Sequence, residues 1–325
     1  MINSTLDTTV ISVIIPTYNS EKTIKETIES VLNQSFTSFE LIIINDGSQD
    51  STIEVITQIQ DSRIKVFSYP NAGGNVSRNR GLHHAVGEFV SFLDADDIWT
   101  TDKLQSQLNA LQENLSAKVA YSWTDYIDEN SEIVLSGTHF TANGDVYEKL
   151  LVTNFLENGS NPLICRKSLI ALGGFDESLG AAQDWDMWLR LACKFNFVCV
   201  PSVQILYRIT ANSVSSNLVR QENASLQVLK KAYEQRPSAL KSSWNISLTN
   251  LYKYLTCKAL QKPFNRQKSL TAAKFLCNYF LNDSLRFHRI IFTLKLLLKI
   301  IIILIVPKFF DSILNKRLKH SSISG

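Results

Sequence analysis

Short apolar segments that alternate with helical patterns constrain the fold of this chain more than any other feature. Apolar residues between the first two segments recur at the three- and four-residue spacing of a helix face. Strands that alternate with helices in this way predict an α/β fold, with a Rossmann-like, doubly wound, mostly parallel sheet and flanking helices. The four segments, rich in β-branched residues, occupy residues 10–15, 41–44, 64–67 and 88–93. Later strands are predicted at residues 119–127 and 161–166.

Three of the predicted strands end in polar residues. Residues 17–19 follow the first strand, residues 45–47 follow the second, and Asp94 and Asp96 follow the fourth. In open parallel sheets, ligands bind outside the carboxyl ends of the strands. The sequence therefore predicts one binding site, built from these three strand ends.

Asp94, Asp96 and Asp97 place three carboxylates within four residues. Residues two apart on a strand point to the same side, so Asp94 and Asp96 can share one target. Clustered carboxylates repel one another unless a cation or hydrogen-bond donors lie between them. A solvated turn, closed by hydrogen bonds from the aspartate side chains to the backbone, is the alternative interpretation.

A second acidic pair opens a predicted helix at residues 182–192. Asp184 and Asp186 lie in its first turn, where carboxylates commonly serve the helix dipole. The local sequence leaves open whether either residue also belongs to a site.

The loop after the first strand argues against two other nucleotide-dependent classes of protein. A dinucleotide-dependent dehydrogenase would carry a G-x-G-x-x-G fingerprint there, and none follows. A sugar nucleotidyltransferase would carry a Gly-rich, basic phosphate loop, whereas this loop reads Pro16, Thr17, Tyr18, Asn19.

Charge and cysteine content predict a cytoplasmic protein with a basic tail. The net charge is +3, but residues 281–325 hold eight lysines and arginines against two aspartates, which leaves −3 for the remainder. A near-neutral body with a basic apolar tail favours an anionic membrane, and not nucleic acid, as a partner. The five cysteines form no C-x-x-C pair and are expected as free thiols in a reducing compartment. No signal peptide is predicted, because no basic segment precedes the first apolar one.

Residues 290–306 form a strongly apolar segment whose only polar residues are Thr293, Lys295 and Lys299. The two lysines lie four residues apart and therefore on one face of a helix. We expect an interfacial helix that holds the protein peripherally on the inner face of the cell membrane. A helix packed in the core or at an oligomer contact, and a membrane span, are the alternatives.

Several ordered blocks of this sequence resemble the family 2 glycosyltransferases, which have the GT-A fold. The resemblance covers residues 10–209 and implies a GT-A domain at residues 1–215. A helical extension at residues 216–282 and a membrane-associating tail at residues 283–325 would follow. The blocks lie at residues 12–19, 40–52, 71–81, 94–97 and 174–186.

The resemblance implies a nucleotide-sugar site at the predicted strand ends. Asp46 would accept a hydrogen bond from the nucleobase, and Arg78 would face the base or the phosphates. Asp96, together with Asp94, would ligate a Mg²⁺ or Mn²⁺ ion that bridges the diphosphate. Asp97 would be a third carboxylate at this site or a helix cap. The residues implied to bind the nucleotide sugar are Pro16, Thr17, Tyr18, Asp46, Arg78 and Asp94.

The resemblance also implies that Asp184 is the general base, which would take the proton from the acceptor hydroxyl. The sugar would pass with inversion from a nucleotide-diphosphate sugar, with a UDP-sugar favoured, to a saccharide or lipid-linked acceptor. Trp185 and Asp186 would contact this acceptor, with packing as the alternative for Trp185 or Trp188. The setting implied is the synthesis of a surface polysaccharide or glycolipid.

Two alternatives stay open at this stage. The first is a non-catalytic protein on the same fold that binds sugar nucleotides or serves assembly, although the complete set of aspartates speaks against it. The second concerns Arg208, which follows a predicted strand and either reaches a phosphate or pairs with a carboxylate of the protein.

Overall fold

The computed structural model describes residues 9–209, 217–236, 243–261, 264–285 and 288–305. The described residues form two compact units. The first unit contains residues up to 150 and from 154 to 209, and the second contains residues 151–153 and those after 216. The predicted domain boundary at residue 215 lies outside the described residues.

As far as the fourth strand, the strands and helices alternate as the sequence predicts, and beyond it the order is less regular. The strands are β1 (Ile11–Thr17), β2 (Phe39–Asn45), β3 (Ile64–Ser68), β4 (Phe89–Phe92), β5 (Ile98–Trp99), β6 (Ala117–Ile127), β7 (Ile133–Ser136), β8 (Leu163–Cys165) and β9 (Asn196–Arg208). The helices are α1 (Ile24–Leu32), α2 (Thr52–Thr57), α3 (Gly74–His84), α4 (Lys103–Glu113), α5 (Tyr147–Val152), α6 (Arg166–Ala171) and α7 (Gln183–Ala192).

The strands of the described residues form one sheet in the order β3-β2-β1-β4-β8-β6-β9-β5, with β7 paired to β6. β1, β2, β3 and β4 are parallel to one another, which confirms the predicted α/β fold. β8 runs antiparallel to both β4 and β6, so β6 and its parallel neighbour β9 point the same way as β4. The carboxyl ends of β1, β2, β4, β6 and β9 therefore lie along one edge of the sheet.

The centre of the sheet is held by strands that are buried on both faces. Ile14 of β1 lies between Ile42 of β2 and Phe92 of β4, and all three side chains are fully buried. Burial of each such side chain is worth about 1.5–3 kcal/mol, and the β-branched residues suit the extended backbone. The predicted apolar face of α1 is also buried, through Ile24, Ile28 and Val31.

Gly81 lets α3 approach β1 more closely than any other residue would allow. A Cβ atom at this position would lie 2.3 Å from Cγ2 of Ile14, well inside van der Waals contact. Arg78 lies one helical turn before Gly81 and therefore on the same face of α3. The absence of a side chain at Gly81 thus sets the depth at which Arg78 enters the edge of the sheet.

The described part of the second unit is helical and confirms the predicted C-terminal helices. No helix among the described residues is long and apolar enough to cross a membrane. The last helix buries Thr293, Ile300 and Ile303. The face that carries these residues agrees with the alternative of a helix packed in the core. The basic stretch after residue 305 lies outside the described residues. The helices are α8 (Leu218–Gln235), α9 (Trp244–Ala259), α10 (Arg266–Asn282) and α11 (Ile290–Ile305).

Candidate active site

The carboxyl ends of β1, β2 and β4 meet at one edge of the sheet. Thr17 pairs with Asn45 in the parallel register, and the N–H of Asp46 donates to the carbonyl of Thr17 at 2.9 Å. Tyr18 is 48% exposed at this edge, whereas Thr17 is buried and its hydroxyl has no partner among the described residues. An exposed aromatic ring beside a buried, unpaired hydroxyl suits the predicted nucleotide contact. The role of Pro16, which is partly exposed at the end of β1, stays a prediction.

Asp46 holds the loop that leads into α3. Its carboxylate accepts hydrogen bonds from the N–H groups of Ala72 and Gly73, at 3.0 and 2.7 Å. Arg80 of α3 also donates to it, at 3.1 Å, in an ion pair that no sequence pattern predicted. The predicted contact of Asp46 with a nucleobase would therefore use lone pairs that these three donors leave free.

Arg78 and Asp94 form a buried ion pair between α3 and the end of β4. The guanidinium Nη2 of Arg78 donates to Oδ1 of Asp94, and its carbon lies 5.6 Å from the centre of the Phe175 ring. Arg78 is buried, while about a third of the Asp94 side chain is exposed. The fold thus brings together two of the residues that the resemblance implies bind the nucleotide sugar.

Residues 94–97, called the acidic turn below, contain carboxylates with different surroundings. Burial, and then the charge of Asp94, raise the pKa of Asp96 to about 6. Asp97 is fully buried, and its oxygens accept from Oγ of Ser160 at 2.5 Å and from the N–H of Arg208 at 3.0 Å. Burial raises the pKa of Asp97 well above its usual range. Asp97 is therefore an internal support of the turn, and it caps no helix, because α4 begins only at Lys103.

The acidic turn fits a divalent cation only in part. The repulsion between Asp94 and Asp96 is what a cation between them would relieve, and both are hard oxygen ligands suited to Mg²⁺ or Mn²⁺. Among the described residues, no group of three or more His, Cys, Asp or Glu side chains could hold a metal ion. Such an ion would therefore need further oxygens, as a diphosphate provides.

Asp184 lies in the first turn of α7 and is partly buried. The helix begins after Ala182, whose left-handed backbone (φ +54°) turns the chain into it. Burial raises the pKa of Asp184, and the charge of Asp94 raises it further. The N–H of Trp185 and the guanidinium of Arg78 act in the opposite direction. Asp184 thus lies within electrostatic reach of the Arg78–Asp94 pair, about ninety residues away in sequence.

The two predicted acceptor residues beside Asp184 are turned into the protein. The Asp186 carboxylate accepts from Nε of Arg190 at 2.7 Å and is almost fully buried. The indole of Trp185 donates to the carbonyl of Leu150 at 2.8 Å, and Trp188 is fully buried beside Phe175. Against the expected contact with an acceptor, these contacts favour packing for both tryptophans and an internal ion pair for Asp186.

One loop at the site was missed by the sequence reasoning. A Cβ atom on Gly159 would lie 3.7 Å from Nη2 of Arg78 and 3.8 Å from Oδ2 of Asp94, so this glycine lines the ion pair. Ser160 accepts the N–H of Asp94 at 3.0 Å and donates to Asp97. The Asn158–Gly159 dipeptide is a turn signal that could have marked this loop, although not its position.

Two solved structures share this architecture and define its class. TarS 1-349 of S. aureus, in complex with UDP-GlcNAc, is 20% identical with a TM-score of 0.57 and covers 85% of this chain and 91% of its own. The mannosyltransferase PcManGT of Pyrobaculum calidifontis, in complex with GDP-Man and Mn²⁺, is 19% identical with a TM-score of 0.56. The match covers 92% of this chain and 87% of the PcManGT chain. The fold is the GT-A fold of these glycosyltransferases.

Sequence similarity identifies the family within this class. The model described as "Glycosyltransferase like family 2" matches residues 12–259, and the chain belongs to this family. It is 31% identical over 233 residues to an Escherichia coli protein, the UDP-Glc:alpha-D-GlcNAc-diphosphoundecaprenol beta-1,3-glucosyltransferase WfgD. The match covers 69% of this chain and 87% of WfgD. The predicted glycosyltransferase family and enzyme class are therefore confirmed.

Proposed function

We propose that this enzyme transfers a sugar, with inversion, from a nucleotide-diphosphate sugar to a hydroxyl group of an acceptor. The observation that supports this proposal is that the charges of Arg78 and Asp94, which form an ion pair at the carboxyl edge of the sheet, reach Asp184. A single displacement needs a base on one face of the sugar and a stabilised leaving diphosphate on the other. This edge supplies groups of both kinds.

Asp184 is the general base in this proposal. Its carboxylate takes the proton from the acceptor hydroxyl while that oxygen bonds to the anomeric carbon and the bond to the leaving diphosphate breaks. The raised pKa of Asp184 suits this role, because a base with a pKa closer to the working pH accepts a proton more readily in the transition state.

The donor lies along the ends of β1, β2 and β4. Tyr18 covers the base or ribose, and the carboxylate of Asp46 faces the base. Arg78 releases part of its bond to Asp94 to bind a phosphate oxygen, for which its planar fork of donors is suited. A UDP-sugar is favoured, because the name of WfgD specifies UDP-Glc and TarS binds UDP-GlcNAc.

Asp96 and Asp94 hold a Mg²⁺ or Mn²⁺ ion together with the donor diphosphate. When bound, such an ion stabilises the charge that develops on the leaving diphosphate. The presence of Mn²⁺ in the PcManGT complex supports this assignment. Through this ion, Asp94 and Asp96 would also orient the donor diphosphate, whose oxygens would supply further ligands.

The acceptor is a saccharide or a lipid-linked saccharide in the synthesis of a surface polysaccharide or glycolipid. The name of WfgD, which specifies a diphosphoundecaprenol-linked acceptor, supports this class. The acceptor hydroxyl must approach Asp184, so the sugar ring lies over the start of α7. Gly159 leaves room on that side of the Arg78–Asp94 pair.

The protein associates peripherally with the cytoplasmic face of an anionic membrane. α11 packs through one face and exposes an apolar face on the other side, and an exposed apolar face next to lysines suits a lipid interface. Lys295 borders this face and is exposed. The exposed apolar residues are Ile290, Ile291, Leu294, Leu297, Leu298, Ile301 and Ile305.

Flotation with lipid vesicles tests this membrane contact. The double variant Leu294→Glu/Leu298→Glu should lose binding to phosphatidylglycerol vesicles, because carboxylates on this face meet both apolar lipid and negative charge. Leu115→Glu, at an even more exposed leucine of the first unit, is the control and should bind as the wild type does. Equal flotation of all three proteins would refute the contact.

The catalytic proposal is tested by donor hydrolysis and transfer with Asp184→Asn. We expect a loss of turnover of at least about a hundredfold, since general acid–base catalysis contributes that much. Binding of UDP should stay within about threefold, because Asp184 does not contact the nucleotide. Asp186→Asn is the matched control on the same helix turn; loss of its bond to Arg190 should lower stability and leave turnover of the folded enzyme largely unchanged.

Absence of turnover with every nucleotide sugar and divalent ion tried would favour the non-catalytic alternative. Full activity of Asp184→Asn would instead keep the enzyme class and refute the assignment of the base. The two failures are therefore distinguishable in one set of assays.

A further inference from the structure

Arg208 is the last residue of β9 and lies at the same edge of the sheet as the acidic turn. Its side chain is only 3% exposed. Buried guanidinium groups keep their charge and need a full set of acceptors. The hydrogen-bond acceptors of Arg208 show which structural elements this residue connects.

Two groups of Arg208 bind consecutive residues of the acidic turn. Its backbone N–H donates to the carboxylate of Asp97 at 3.0 Å, and its side-chain Nε donates to the carbonyl of Asp96 at 2.8 Å. Hydroxyl groups of α1 bind the neighbouring carbonyls: Thr23 binds that of Ala95 and Thr27 that of Asp97. The backbone on both sides of the Asp96 carboxylate is thus clamped.

The outer nitrogens of Arg208 connect the acidic turn to two other elements. Nη1 donates to the carbonyl of Asp128 at 2.8 Å, and Nη2 donates to Oγ of Ser131 at 3.1 Å, both in the turn between β6 and β7. Nη2 also binds the carboxylate of Glu26 on α1 at 2.7 Å, and Ser131 donates to the same carboxylate. One planar guanidinium therefore joins the acidic turn, α1 and the β6–β7 turn.

These contacts decide between the two expectations for Arg208. Nε, Nη1 and Nη2 all bind protein acceptors, and the group is buried, so it is not available to a phosphate. It pairs with a carboxylate of the protein, Glu26. Its bond to the turn is made to a backbone carbonyl, so the Asp96 carboxylate itself stays free.

We propose that Arg208 is a positioning residue that fixes the direction of the Asp96 carboxylate for the divalent ion and the donor diphosphate. Its carbonyl contact fixes the peptide that follows Asp96, while its N–H fixes Asp97 from inside. This inference rests on the proposed metal site at Asp94 and Asp96. Loss of a residue that orients a metal ligand typically costs about 10–100-fold in metal affinity or activity.

The test is a titration of the protein–UDP complex with Mn²⁺. Electron paramagnetic resonance measures the binding, because the signal of free Mn²⁺ is lost when the ion binds. We expect Arg208→Lys to weaken Mn²⁺ binding by about 10–100-fold, because an ammonium group cannot donate hydrogen bonds in three directions within one plane. UDP affinity without metal should stay within about threefold. In turnover, the Mn²⁺ concentration for half-maximal rate should rise in parallel.

Arg190→Lys is the matched structural control. Arg190 is also a largely buried arginine that binds one carboxylate, Asp186, and one carbonyl, that of Leu172. Its replacement should lower the melting temperature without changing Mn²⁺ affinity. Glu26→Gln is a graded variant at a half-exposed side chain, which removes only the charge from one of the outer contacts of Arg208 and should weaken Mn²⁺ binding by a smaller factor.

The proposal is overturned if Arg208→Lys and Glu26→Gln both bind Mn²⁺ as the wild type does while their melting temperatures fall like that of Arg190→Lys. Arg208 would then be a purely structural residue, and the proposed function would stand. If the wild-type UDP complex binds no Mn²⁺ or Mg²⁺, the metal site itself is refuted, and the role of Arg208 with it. If Arg208→Lys does not fold, the Glu26→Gln titration decides.

Discussion

Gly81→Ala adds one methyl group at the closest contact between α3 and β1. The new Cβ would lie 2.3 Å from Cγ2 of Ile14, so α3 or the strand must move by about 1 Å to restore ordinary contact. Overpacking of a core costs about 1–3 kcal/mol. Alanine is favoured over glycine in a helix by about 0.8–1 kcal/mol. The net loss of stability should therefore be modest, about 0–2 kcal/mol.

The effect on activity should be much larger than the effect on stability. Arg78 lies one turn from Gly81 on α3, and its guanidinium binds Asp94 at the candidate site. A displacement of about 1 Å in a catalytic arrangement can cost about a hundredfold in rate. We therefore expect turnover of the nucleotide sugar to fall by tenfold or more while most of the protein stays folded.

Two measurements on the same samples check this prediction. Urea unfolding gives the stability, and hydrolysis of the donor under saturating metal gives the rate. His83→Ala, at an exposed position on α3, controls for changes in the helix that leave the contact with Ile14 intact. A Gly81→Ala enzyme with unchanged turnover would refute the idea that this contact sets the depth of Arg78.

Two further predictions concern buried polar groups that support the site. Burial lowers the pKa of Lys103 well below its usual range, whereas the amine keeps its ordinary pKa of about 10.4 in the unfolded chain. Between the two pKa values the unfolded state binds more protons, so this group makes stability rise with pH. Lys103→Met should therefore gain more over the wild type at pH 6 than at pH 9 in urea unfolding. The reverse order would contradict a lowered pKa of Lys103. Ser160→Ala should lower the free energy of unfolding by about 1–3 kcal/mol, since it removes one of the two hydrogen-bond donors to the buried Asp97 side chain and the acceptor of the Asp94 N–H. A stability in urea equal to that of the wild type would show that these groups find other partners.

Local sequence was a sufficient guide to the parallel half of the sheet. Each of β1 to β4 is a short apolar run with a polar end. Strand–helix–strand connections between parallel strands are almost always right-handed, which leaves few ways to assemble such units. The positions of Tyr18, Asp46 and Asp94 at one edge follow directly from parallel strands. The mixed half was not predictable in this way, because the three-residue strand β8 carries no signal for its antiparallel direction.

The supporting residues of the site were also beyond local sequence patterns. Asp97 and Arg208 are 111 residues apart in sequence and meet only because β9 ends beside the acidic turn. Asp184 and Asp186 look alike in the sequence, both being acidic residues in a first helical turn. The structure separates them, since the charges of Arg78 and Asp94 reach Asp184, whereas Asp186 faces Arg190.

The sequence by itself determined the alternation of strands and helices in the parallel half of the sheet and the edge at which polar groups collect. These features depend on residue type and spacing over fewer than about ten positions, which local physics can specify. The candidate roles of Asp94, Asp96 and Asp184 came from the resemblance to the family 2 glycosyltransferases. Tertiary structure alone decided which carboxylates face the site and which support it from inside. That choice depends on burial and on partners distant in the chain, so it exists only once the sheet has formed.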